Sequence, residues 1–212
     1  MNLKNLLLSL ILITPNLLLA QINDKHLEPV NGIFDVTGNR IYYGSKVREY
    51  LIDGLYDYPK VRFFKFPSRD PEEVFNLTFD RSNNVWEIKY RTRGVMIHRL
   101  NESDITKFPI DEIHTIIPSE LGESLYELCV QMINLTKFYE NEKTGMDGIN
   151  YYFSVFDGKI KAGQIWSPRP NSKTGKLVKI CEEVIKYITG ELNSYSEILN
   201  DINELNIDIK KR

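Results

Sequence analysis

Along residues 74–91 the hydrophobic pattern has a period of two. Phe75, Leu77 and Phe79 alternate with Val74, Asn76 and Thr78, and after the polar run 80–84 the alternation resumes as Trp86, Ile88 and Tyr90 against Glu87, Lys89 and Arg91. Such a pattern on both sides of a polar turn predicts an antiparallel hairpin with one dry and one wet face. A second hairpin is predicted from 151–156 and 160–166, joined by Asp157-Gly158, a pair favoured where turn residues need positive φ. Taken as a two-residue turn, it pairs Phe156 with Lys159 and Val155 with Ile160. That register gathers Phe153, Val155, Ile160 and Ala162 on one face. Further strands are expected at 61–66, between Pro59 and Pro67, and at 94–100. A short hairpin is expected around Thr37-Gly38-Asn39, taking in Ile41-Tyr42-Tyr43. Residues 101–118 read as irregular.

Elsewhere the period changes to that of a helix. Leu121, Leu125, Leu128, Met132 and Leu135 predict a helix over 119–139, with Glu120 and Glu123 in the first turn where the helix dipole favours them. Ser172 is placed to cap a second helix, striped by Leu177, Cys181, Val184 and Ile188 and stopped at Gly190. Leu192, Tyr195, Leu199 and Ile202 predict a last amphipathic helix. Behind Ser45, Val47, Leu51 and Leu55 repeat at four-residue steps across Gly54. Together these elements predict an α+β fold, with antiparallel β-hairpins forming a sheet covered on one face by two main helices. Leu125, Cys129, Met132 and Ile133 match Leu177, Cys181, Val184 and Ile185 at a constant shift of 52. The chain therefore reads as two ββα-like units, about 74–139 and 151–189, plus the C-terminal helix.

Residues 1–20 stand apart. Lys4, the apolar run 6–13, Pro15 and a closing Ala20 have the parts of a secretory signal peptide cleaved after Ala20, leaving 21–212 as one globular α+β domain. The unbroken apolar run falls short of the roughly 20 residues a bilayer needs, so no stable membrane span is expected after cleavage. Periplasmic or secreted localisation follows. Composition adds exclusions: 26% charged and 42% hydrophobic residues are globular values, and 27 Lys+Arg against 29 Asp+Glu give a net charge of −2. No global positive field draws the chain to nucleic acid.

Candidate chemistry is sparse. Cys129 and Cys181 lie on their helix stripes, and export makes them a candidate disulfide, with two buried free thiols as the alternative. His26, His98 and His114 share no ligand spacing, so no metal is indicated, and no cofactor either. Gly145-Met146-Asp147-Gly148 lacks the lysine of a phosphate loop and reads as a turn. Asp147 and Asp157 flank one strand and form a conceivable glycosidase-like pair, although each precedes a glycine and so fits a turn. Lys89, Arg91 and Arg93 project from one side of their strand. With Tyr151 and Trp166 they are the candidate binding residues.

The stretch 145–168 is similar to a group of exported bacterial proteins with no assigned activity. The residues carrying the likeness are Gly145-Met146-Asp147-Gly148, Tyr151-Tyr152-Phe153, Phe156-Asp157-Gly158-Lys159 and Trp166-Ser167-Pro168. The resemblance implies export and a domain spanning both hairpins, and it transfers no catalytic residue. The resulting expectation is a non-catalytic binding or interaction module in the periplasm or outside the cell, its partner an envelope component or protein. The alternative is a hydrolase acting on cell-envelope or polysaccharide material through paired carboxylates. A hydrolase requires two carboxyls converging in a cleft; a binding module requires an exposed aromatic or basic patch without such a pair.

Overall fold

The computed structural model describes residues 26–30, 40–101, 107–139 and 147–211. The expected leader, the turn at 37–39 and Gly145-Met146 lie outside them. Among the described residues seven strands form one antiparallel sheet: β1 (Glu28–Val30), β2 (Val61–Pro67), β3 (Glu73–Asp80), β4 (Val85–Thr92), β5 (Asp111–Ile117), β6 (Ile149–Asp157) and β7 (Lys159–Trp166). Their order is β1-β7-β6-β2-β3-β4-β5. The helices are α1 (Arg40–Val47), which runs on as a π-helical turn Arg48–Ile52, then α2 (Ser119–Asn134), α3 (Lys173–Ile188) and α4 (Ser196–Lys210). The α+β class is as expected.

In the β3–β4 hairpin Phe75 faces Tyr90, Leu77 faces Ile88 and Phe79 faces Trp86, so its dry side is continuous. Phe63 from β2 and Phe153 and Val155 from β6 extend that side. It is buried by Leu121, Leu125, Leu128 and Met132 of α2 and by Leu177, Cys181 and Val184 of α3. α4 closes the layer with Ile198, Ile202 and Leu205. α2 passes so near β4 that a Cβ on Gly122 would stand 2.4 Å from the Trp86 ring. Ser172 caps α3 as expected, its hydroxyl accepting from the Gly175 N–H at 3.0 Å.

Several expectations are corrected. The β6–β7 register is one residue from the predicted one: Phe156 faces Ile160, Val155 faces Lys161 and Ser154 faces Ala162. The hairpin is centred on Gly158, whose φ of +70° places one residue in the left-handed conformation and gives an odd-length loop. Ile160 and Ala162 therefore lie on the opposite face from Phe153 and Val155. Residues 94–100 form no strand but a 3₁₀ turn, Ile97–Arg99. The extra strand is β5, inside the stretch read as irregular. Residues 41–43 are helical, belonging to α1, and α2 stops at Asn134 because Leu135 and Thr136 close the last turn onto Met132 and Ile133.

The sheet's second face was expected to be wet. Half of it is covered: Val47, Tyr50, Leu51, Ile52 and Leu55, from α1 and the turn after it, pack on Phe64 and Val74 together with Ile97 and Leu100.

Candidate binding face

Alternation along each strand and in-register pairing across strands place the second face's side chains in rows. One row, Tyr152, Phe64, Val74, Arg91 and Glu112, crosses β6, β2, β3, β4 and β5. The apolar members of this row meet α1. The next row is Ala162, Ser154, Arg62, Asn76, Lys89 and His114, and it is polar from Ser154 onward. Beyond it lie Thr78, Glu87 and Ile116 on β3, β4 and β5, with Phe156 and Ile160 on β6 and β7. The change from apolar to polar between the first two rows is where the α1 cover ends.

What holds the cover is a set of arginines. The Arg91 Nε donates to Glu112 at 2.6 Å, and its Nη1 donates to the carbonyls of Asp53 at 2.8 Å and Leu51 at 3.3 Å. The Arg93 Nε donates to the Tyr50 carbonyl at 3.3 Å, and its guanidinium lies 5.1 Å from the Tyr50 ring centroid. Its Nη1 also donates to the Phe108 carbonyl. Arg62 donates to Asn76 Oδ1 and to the Tyr56 carbonyl, each at 2.7 Å, and Asn76 donates to the same carbonyl at 3.1 Å. The last carbonyls of a helix have no partner within it and carry partial negative charge, so guanidinium groups are fitting partners. Burial pulls the Arg62 pKa down to about 10, opposed by the Asp57 charge, so it remains a cation at neutral pH. Burial pushes the Glu112 carboxyl up, but its hydrogen bond with Arg91, the Arg91 charge and the charges of Lys89 and His114 outweigh it and leave the pKa lowered.

Pinned at Tyr56, the 55–59 segment runs as a strap over the polar rows and leaves a cleft on either side. The first, about 680 Å³, has Asn76, Thr78, Glu87, Lys89 and His114 in its lining. Its aromatic lining includes Tyr56, Tyr58, Phe79 and Phe156, and Tyr56 and Tyr58 are 64% and 52% exposed. The second, about 620 Å³, lies toward β7 and shares Tyr58 and Phe156 with the first. Their rings are 5.5 Å apart. The His114 Nε2 and Glu87 Oε2 atoms are paired at 3.1 Å. Asp80 accepts from the Ser82 and Asn83 N–H groups and from the Asn83 amide, and the amide contact leads in lowering its pKa.

The five sequence-derived binding residues are not brought around one concavity. Lys89 lines the first cleft. Arg91 and Arg93 are each 8% exposed and hold main-chain carbonyls. Tyr151 points to the opposite face, where its hydroxyl donates to Glu182 at 3.3 Å and Glu182 also pairs with Lys65 at 3.1 Å. Trp166 ends β7 beside Gly148, where an added Cβ would meet its Nε1 at 2.6 Å. The cleft residues that sequence reasoning missed are Tyr56, Tyr58, Glu87, His114 and Phe156. The available signal was two tyrosines just before Pro59, in a stretch without helical or strand period.

Asp157 is the last of the nine residues of β6 and Asp147 lies two residues before the first, which sets them roughly 30 Å apart at the rise of an extended chain. Asp147 instead pairs with Arg69 at 2.7 Å. Cys129 and Cys181 are fully buried free thiols between α2 and α3. Burial foremost, and then the hydrogen-bonding contact with Cys129, push the Cys181 thiol pKa up. Among the described residues no group of three or more His, Cys, Asp or Glu side chains is placed to hold a metal. Nor is any described helix long and apolar enough to cross a membrane. No protein-family model, curated protein or solved structure matches the chain.

Proposed function

We propose that the protein is an exported, non-catalytic binding module, acting in the periplasm or outside the cell, and that the polar half of the sheet's second face is its binding surface. The observation that carries this reading is the pair of open clefts on either side of the 55–59 strap, with exposed tyrosines standing over a row of hydrogen-bonding side chains. Rigid aromatic walls over a few placed polar groups are the usual make-up of a ligand site. The hydrolase alternative depends on converging carboxyls. The wide separation of Asp147 and Asp157, and the engagement of Asp80 and Glu87 with neighbouring donors, support binding over hydrolysis.

Export rests on the leader pattern at 1–20 and on the resemblance of 145–168. The test is to recover the chain from cell fractions, read its N-terminus, and incubate the mature protein with envelope polysaccharides and peptides. Gln21 as first residue, recovery outside the cytosol and binding without turnover are the expected results. Met1 retained on a cytosolic chain, or turnover of any of these materials, contradicts the reading.

A further inference from the structure

The first cleft carries enough chemistry to name a ligand class, an inference that rests on the cleft being a binding site. Across the sheet its floor spans Asn76, Lys89 and His114, two strand spacings or about 10 Å; along β4 it spans Lys89 and Glu87, about 7 Å. That area accommodates one pyranose ring with its substituents. A hydroxyl, an ammonium and an imidazole–carboxylate pair can meet a ring's hydroxyl groups above Asn76, whose buried amide is shared between Arg62 and the Tyr56 carbonyl, while Tyr56 and Tyr58 offer flat apolar faces to its C–H side.

Charge then selects among sugars. The two acids in the lining are engaged within the protein: Asp80 with its own turn, and Glu87 with His114. Lys89 is 3.7 Å from Glu112, whose other oxygen already accepts from Arg91 at 2.6 Å. Arg81 adds a further cation to the lining, whereas Lys60, also in the lining, sets its ammonium 5.0 Å from the Tyr126 ring centroid. The cleft therefore presents donors and positive charge to a ligand. Phosphate recognition favours several arginine forks converging on one group, and here Arg62, Arg91 and Arg93 are committed to main-chain carbonyls, leaving Arg81 alone in the lining. An extended peptide would pair with a sheet edge, and this cleft lies on a face.

We propose that the cleft takes an acidic saccharide, a uronate-bearing oligosaccharide whose ring stacks on Tyr58 and Tyr56 and whose carboxylate is held by Lys89. Because the second cleft begins at the same Tyr58, a chain of sugars contacts both clefts and binds more tightly than one unit.

The experiment is calorimetric titration of the mature protein with trigalacturonate, galacturonate, maltotriose and hexaglutamate. Trigalacturonate is expected to bind, more tightly than galacturonate and less tightly as salt rises, with maltotriose and hexaglutamate weaker still. Lys89→Gln, losing one charge-assisted contact, and Tyr58→Ala, losing one stacking face, are each expected to weaken binding about tenfold, with thermal unfolding little changed. Binding of maltotriose or hexaglutamate in place of trigalacturonate, weakened by Tyr58→Ala, overturns the ligand class and leaves the binding face standing. Trigalacturonate binding that neither substitution alters places the site elsewhere and overturns the proposal, as does no binding of any probe.

Discussion

The two faces of the sheet are covered by different chemistry. On one face α2, α3 and α4 are held by interlocked apolar side chains, with Phe63, Phe75 and Phe153 fully buried at the centre. On the other, α1 and the turn after it bury a smaller apolar cluster, and Arg62, Arg91 and Arg93 fasten that turn and the residues after it by their carbonyls. Apolar burial is non-directional and covers whatever area is available. Hydrogen bonds to chosen carbonyls stop where the donors stop. That difference leaves half of the second face open and sets the strap at a fixed height above it.

Removing a large side chain from the first face is the strongest test of the contrast. Phe153→Ala is expected to cost about 3–5 kcal/mol in denaturant unfolding, with all elements destabilised together. A loss confined to one region would break the comparison. Arg91→Met removes the donors to Asp53 and Leu51 and leaves Glu112 without its closest cation. It is expected to cost about 2–3 kcal/mol. Hydrogen exchange should quicken over 47–56 while α2 and α3 stay protected; equal loss in α2 would show that the arginines support the whole fold.

A pH series sharpens the same point. The folded-state pKa of Glu112 is lowered, so its stabilising contribution is fully present above the ordinary value of 4.5 and is lost as pH falls through the lower folded value. Wild type is expected to be more stable than Glu112→Gln at neutral pH, the gap closing in acid below 4.5. A gap that widens on acidification contradicts the ion pair. The smallest effect is expected at the strap: Tyr58→Ala, at an exposed ring, should change stability by no more than about 0.5 kcal/mol. A larger loss would make Tyr58 a structural residue.

How much of this was legible in the sequence follows from how local each cause is. The β3–β4 hairpin and the stripes of α2 and α3 are written in neighbouring residues. The register of β6 and β7 turned on a single left-handed residue, Gly158, which a two-residue reading of Asp157-Gly158 misplaces. β5 escaped because Ile116 and Ile117 are adjacent, one facing each side of the sheet, and because Pro109 and Pro118 suggested a loop. The cover by α1 was obscured by Gly54, which interrupts the spacing of Val47, Leu51 and Leu55. Arg91 and Arg93 were seen as charges, but a sequence does not say whether a guanidinium meets solvent or the end of a helix. The cleft depends on a strap placed by those contacts, so Lys89 was found and Tyr58 and His114 were not.

The most direct test is an amide chemical-shift map of the protein titrated with trigalacturonate. Shifts concentrated at 55–60, 76–81, 87–89, 114 and 156 are the predicted result. Shifts centred on α2–α4, or none anywhere, would contradict the assignment of this face as the functional one.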